Sequence, residues 1–471
     1  MKFIFCLLLL LPVSLFAQTE AEKTFTRSEM KEDLAFFTRT IENVHPGPYH
    51  SISKENFNLL RDSLNGTLKE NVSLPEAWAF FSRLIAAYDE GHSTIAYPSA
   101  LQQQVKEGKV MIFPVLVREF NGEGLLVRYD LSKDSVLKTG DLITHINGQS
   151  AKDMVKTLTS FYGGLPSWRT TQALRDFGGQ LLLHGVLPPY QIRYTNGGKN
   201  REVIIQAVTL AELQARAAEI RKRTTASATS TAPYSFERTA ENIGYINFRS
   251  MQDLPVFEKF LDSVFTDIKI NPVTGLIIDL RQNGGGNSAL GERLIGYISS
   301  KPYRMGGGSR WKVSDEYKDF IRERAKTKPV YASGSFQHYL NRKTGDIISG
   351  LAGKPQSPGK NSLRFEGRVA ILTGPNTFSS ANMLSNAIRD YQLATIIGEA
   401  TGEPCNDYGE LYWTRLPKTG LLFYTCSKQF IRANGDAADP NPVMPDIEVK
   451  QDPNSLKDDV LNFAKEWMKK K

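Results

Sequence analysis

Cysteine is scarce: three residues in 471. One of them, Cys6, falls in an apolar leader, so Cys405 and Cys426 are the thiols of the mature chain. Their spacing leaves open whether they pair. With six histidines in all, no cysteine–histidine spacing resembles a zinc site. Concentrated basic charge is lacking as well. The net charge is +8, but apart from Lys469, Lys470 and Lys471 the basic residues are scattered. A nucleic-acid partner, which needs a concentrated basic face, is therefore not expected. Long hydrophobic runs are missing beyond the first residues. Residues 3–11 are apolar but too short to span a bilayer, with Lys2 before them and the small Ala17 ahead of Gln18. That pattern predicts a signal peptide over 1–17 and an exported, periplasmic or extracellular protein with no stable membrane insertion.

What is present is ordinary globular material, 41% hydrophobic and 23% charged. The length predicts several domains. The segment 18–109 reads as helical. Leu34, Phe37, Ile41 and Val44 share one face, Asn56 to Leu64 forms a second helix, and a third opens on Ser73, Pro75 and Glu76. The third is expected to run to Gly91, just before His92. Residues 110–208 read as a small β module. A strand after Gly124, the run Gly140–Gly148 ending in an Asn-Gly turn, and a helix over residues 151–158 resemble a PDZ domain. In such a domain a strand edge captures an extended peptide. The stretch 209–240, rich in Ser, Thr and Ala, is expected to be a linker. From 241 onward strands and helices alternate, which predicts a largely parallel sheet flanked by helices. A long insertion, 301–367, reads as a lid or flap.

Two segments of this last region carry chemistry. Thr377-Phe378-Ser379-Ser380-Ala381-Asn382 joins a buried strand to a helix. A serine there stands at a positive helix end, where backbone N–H groups meet developing negative charge. Capping the helix is the alternative role. Asp279-Leu280-Arg281-Gln282-Asn283-Gly284-Gly285-Gly286 is a glycine turn after a buried strand. It lacks both the Gly-Lys-Ser/Thr ending and the G-x-G-x-x-G pattern of nucleotide sites, so no cofactor is expected. Asp279 and Arg281 are expected to pair across it.

Taken together, D-L-R-x-N-G-G-G, then V-x-I-L-T-x-x-x-T-F-S-S-A-N, then Ile397-Gly398-Glu399-Ala400-Thr401-Gly402 resemble the core of the C-terminal-processing (tail-specific) and tricorn-type serine proteases, peptidase family 41. The resemblance implies an α+β multidomain chain: an N-terminal helical domain, a PDZ-like β module and a C-terminal α/β core of the Clp protease/crotonase fold. It implies Ser379 as nucleophile, with Asn382 where the family's glutamate is usual, and backbone N–H groups of Ser380 and Gly285 as oxyanion hole. Where one branch carries a lysine base, this chain has Gly402-Glu403-Pro404. The tricorn-like branch uses histidine, and Asp89-Glu90-Gly91-His92-Ser93 matches it, making His92 the base. The branch's acidic residue lies six places before the Pro-Asp of G-V-x-P-D. Here that count reaches Asp439, with Pro442 in place of the glycine. The expected activity is hydrolysis of unstructured or C-terminal protein segments through a Ser-His-Asp site, with self-association left open. The alternative is an inactive ligand- or peptide-binding protein on the same scaffold.

Overall fold

The computed structural model describes residues 23–223, 232–332, 334–453, 455 and 457–470. The leader lies outside them, as do residues 224–231 of the expected linker. In the N-terminal part the three helices form where apolar residues recur at helical spacing: Arg27–Val44, Lys54–Gly66 and Leu74–Ala86. The capping box read at Ser73 and Glu76 is present, with the Ser73 N–H donating to Glu76 Oε2 at 2.9 Å. The third helix ends at Ala86 rather than Gly91, because Asp89 adopts a positive φ of 56° and turns the chain out of the helix.

The β module has an antiparallel sheet ordered Val115–Phe120, Leu125–Asp130, Leu142–Ile146, Tyr190–Asn196, Lys199–Ile205. It also carries helices Pro166–Arg175 and Phe177–Leu183, which the sequence reading did not anticipate. The presumed linker contains the helix Leu210–Arg223 and the strand Tyr234–Arg238. That strand pairs antiparallel at the edge of the main sheet.

The main sheet then runs in parallel through Gly244–Phe248, Leu276–Asp279, Val369–Thr373, Thr395–Gly398 and Ile447–Glu448. Its central strands are buried on both faces, as helices cover both sides. A second, antiparallel sheet is ordered Ile347–Leu351, Gly308–Lys312, Leu422–Ile431, Asp407–Arg415. The insertion is therefore not a loose flap: its strand Gly308–Lys312 pairs directly with Leu422–Ile431. One further strand completes this sheet. Thr94–Ile95, immediately after His92, pairs with Phe423 and Tyr424. That pairing delivers the N-terminal histidine loop to the C-terminal domain.

Candidate active site

The turn at Ser379 is built from buried backbone. After the strand Val369–Thr373, the Thr377 hydroxyl donates to Leu280 O at 2.9 Å and accepts from Gly374 N at 3.1 Å. Phe378 N donates to Asn283 O at 3.0 Å, so the glycine turn and the serine turn are tied together. Ser379 itself has φ 55° and ψ −128°, a strained backbone for a residue with a side chain. Its hydroxyl does not cap the helix Ser380–Tyr391, so the capping role is not taken up. Gly285 passes so close that a Cβ there would lie 2.6 Å from Ser379 Cβ, which only glycine avoids. The Ser380 hydroxyl donates to Gly286 O at 2.6 Å. Its N–H, in the first turn, has no acceptor within the helix and is open to an anion. The Gly285 N–H differs from expectation. It donates to Asn283 Oδ1 at 2.9 Å, so its own turn occupies it in this conformation.

His92 sits beside this turn. Its ring centroid is 4.6 Å from that of Phe378, the neighbour of Ser379. Phe378 stacks on Trp168 at 3.8 Å and 7°. Gly91 leaves room for this stack, since a Cβ there would meet both rings at 2.7 Å. One carboxylate links the histidine to the serine. Glu403 Oε2 lies 3.3 Å from His92 Nδ1, and Glu403 Oε1 accepts the Ser379 N–H. No hydrogen bond joins the Ser379 hydroxyl to His92 in this conformation.

Asp439 is not the carboxylate on His92. It pairs with Arg432 and accepts from the Asn441 N–H at 2.9 Å and the Asn441 side chain at 2.7 Å. Arg432 is held in turn by Asp390. The Asp439 loop instead backs the strap that carries Glu403: Cys405 N donates to Asn441 O at 2.8 Å, and Pro404 bridges Pro442. From the other side Asn382 Nδ2 donates to Pro404 O at 2.8 Å and Asn386 Nδ2 to Cys405 O at 3.1 Å. Asn382, standing where a glutamate is usual, thus fastens the strap. Glu403 was visible in the sequence only as the residue replacing a lysine.

Buried acids crowd the site, among them Glu403 and Asp407. Burial raises Glu403 well above the usual carboxyl range, and Asp407 beside it adds to the effect. Burial pushes Asp407 up to about 8. Burial also lowers His92 to about 4, with Glu90 alone opposing. The lowered value of His92 favours a neutral imidazole at rest. Cys405 and Cys426 are both buried free thiols. The expected pair of Asp279 with Arg281 is present at 2.6 Å, and Arg281 also reaches Asp458 at 2.7 Å. Among the described residues no cluster suited to a metal ion occurs, and no helix is long and apolar enough to cross a membrane.

Comparison with known proteins places this geometry. Residues 242–449 match the model of peptidase family S41. That region is a peptidase family S41 domain. Both segments of the S41 core, the glycine turn and the Ser379 turn, lie inside the match, and the chain is accordingly a serine-type peptidase. Mature CPAF has a similar fold, with 14% identity over 94% of this chain and 96% of that one and a TM-score of 0.62. Mature CPAF complexed with lactacystin aligns over 94% and 97%, also at 14% identity, with a TM-score of 0.63. At such identity the likeness concerns the fold. No curated protein matches the sequence.

Proposed function

We propose that this S41 chain is an exported serine endopeptidase that cuts unstructured or C-terminal protein segments, with Ser379 as nucleophile and His92 as base. The observation that carries the reading is the Glu403 carboxylate, which touches both the Ser379 amide and His92 Nδ1. Glu403 takes the orienting role that the sequence reading gave to Asp439. Ser379 Oγ attacks the peptide carbonyl while His92 accepts its proton, then returns it to the leaving amine. The Ser380 amide receives the oxyanion, and a small shift of the glycine turn frees Gly285 to join it. Contacts of this kind commonly tighten only when substrate binds. The β module, PDZ-like in its strand and turn pattern, presents extended chain to the site.

The occupied Gly285 amide and the missing hydroxyl–imidazole bond favour a second reading, an inactive binding protein. A fluorophosphonate probe separates the two. The peptidase is expected to be labelled on Ser379, to lose labelling in Ser379→Ala, and to cut an unstructured peptide library detected by mass spectrometry. Intact peptides and an unlabelled wild type would leave the binding protein.

A further inference from the structure

An arginine without a carboxylate stands beside the serine turn. Three other arginines around the site, Arg169, Arg281 and Arg432, hold Asp89, Asp279 and Asp390 respectively. Arg175, in the last turn of the helix Pro166–Arg175, is solvent-accessible, and among the described residues no carboxylate pairs with it. The adjacent Asp176 is engaged elsewhere. Its Oδ1 accepts the Gly179 N–H at 3.2 Å, capping the helix Phe177–Leu183. A Cβ on Gly179 would lie 2.3 Å from Asp176 Oδ2, so both oxygens face that helix.

Two contacts fix the place of the Arg175 guanidinium. Its Nη2 donates to Asn376 Oδ1 at 3.4 Å, and its Cζ lies 5.6 Å from the centroid of Trp168. Asn376 stands three residues before Ser379, so their Cα atoms are at most about 11 Å apart. Trp168 stacks on Phe378 at 3.8 Å, and Phe378 meets the His92 ring at 4.6 Å. Gly402, next to Glu403, closes the same wall: a Cβ there would lie 3.3 Å from Trp168 and 2.1 Å from Pro375 O. A cation in the last turn suits the helix dipole, but that does not explain its placement against Asn376 and Trp168. The contact to Asn376 is long for an N–H···O bond and occupies one nitrogen of a planar fork that can grip a carboxylate at two points.

We propose that Arg175 is a specificity residue that binds a carboxylate of the substrate, within a few residues of the bond that Ser379 attacks. The proposal rests on the reading of Ser379 and His92 as a peptidase site. The carboxylate is either the chain end of a C-terminal segment or an Asp or Glu side chain, and both present the same pair of oxygens to the fork. Trp168 and Asn376 hold the guanidinium in place before substrate arrives, so little side-chain freedom is lost when the ion pair forms. The β module, which carries Arg175, thereby contributes a substrate contact at the site itself.

The test is kcat/KM for one unstructured peptide in four forms, with Glu or Gln near the cut and with a free or an amidated C-terminus. The enzymes are wild type, Arg175→Gln, Arg175→Lys and Arg175→Glu. Wild type is expected to prefer the carboxylate-bearing forms about tenfold, chiefly through KM, the order expected of one charge-assisted pair. Loss of the preference on amidation supports the chain end as its source, and loss on the change to Gln supports the side chain. Arg175→Gln is expected to bring the ratio to about one, Arg175→Lys to keep part of it and Arg175→Glu to reverse it. Arg175→Glu decides the matter if Arg175→Gln does not fold. No preference in wild type, or one that persists in Arg175→Gln, overturns the proposal. An equal loss for all four peptides also overturns it, since that marks a structural role only. A wild type that is not labelled by the fluorophosphonate probe on Ser379 overturns instead the peptidase reading beneath it.

Discussion

A carboxyl group taken out of water holds on to its proton, and burial does this to Asp407. The folded chain holds the Asp407 proton up to about 8, whereas the ordinary value is 3.8. The resulting contribution to stability is complete below the ordinary value and is lost as pH climbs toward about 8. Asp407→Asn has no proton to lose. Its melting temperature relative to wild type should therefore rise between acidic and mildly alkaline buffer, and a difference that stays constant with pH would contradict the assignment. Ser379 shows a different limit of reading at this scale. Its place at a strand-to-helix junction was legible, but its positive φ depends on Gly285 lying against its Cβ. Asp439 was found by counting along a motif. Counting did not reveal Arg432, which meets it from the end of a neighbouring strand.

Among the elements, the strap around Glu403 is held by the helix that follows the nucleophile. Asn382 and Asn386, one turn apart on that helix, donate to consecutive strap carbonyls. Asn382→Asp keeps the shape but removes the donor and sets another carboxylate beside Pro404 O. A loss of roughly 1–3 kcal/mol in unfolding free energy is expected from the unsatisfied buried group. Ser379 labelling should slow at least tenfold as Glu403 loses its seat. Denaturant unfolding and probe kinetics measure both, and unchanged labelling would detach the strap from catalysis. Local patterns were the most readable part of the elements. The Ser73–Glu76 box closes within one turn and needs no partner elsewhere. Ser288, at the start of the helix Ala289–Ile298, makes no side-chain cap, and Asn287 Oδ1 accepts the Ala289 N–H instead. The sheet strand inside the insertion 301–367 was not legible because its pairing partner lies more than a hundred residues downstream.

For the whole molecule, the site exists because three separate parts of the chain converge. Strand Thr94–Ile95 joins the second sheet, and buried Asp33 accepts the Lys418 N–H and the Thr419 N–H, each at 2.8 Å, pinning the first helix to the Leu416–Leu421 turn. Trp168 comes from the β module to stack on Phe378. Trp168→Ala should cost about 3–5 kcal/mol, typical of an aromatic removed from a packed interior. It should also reduce labelling in the molecules that stay folded, by loosening Phe378 and His92 together. Full labelling in a folded variant would separate the module from the site. By itself the sequence determined the secondary-structure periodicities, the order of the parts, the strand-to-helix serine and the glycine turn, because these depend on neighbours a few residues apart. Only the tertiary structure decided which carboxyl faces His92, that the Gly285 amide is occupied, and that Trp168 stacks on the neighbour of Ser379. Those outcomes depend on side chains dozens to hundreds of residues apart meeting in a water-poor interior, where burial sets both their contacts and their protonation.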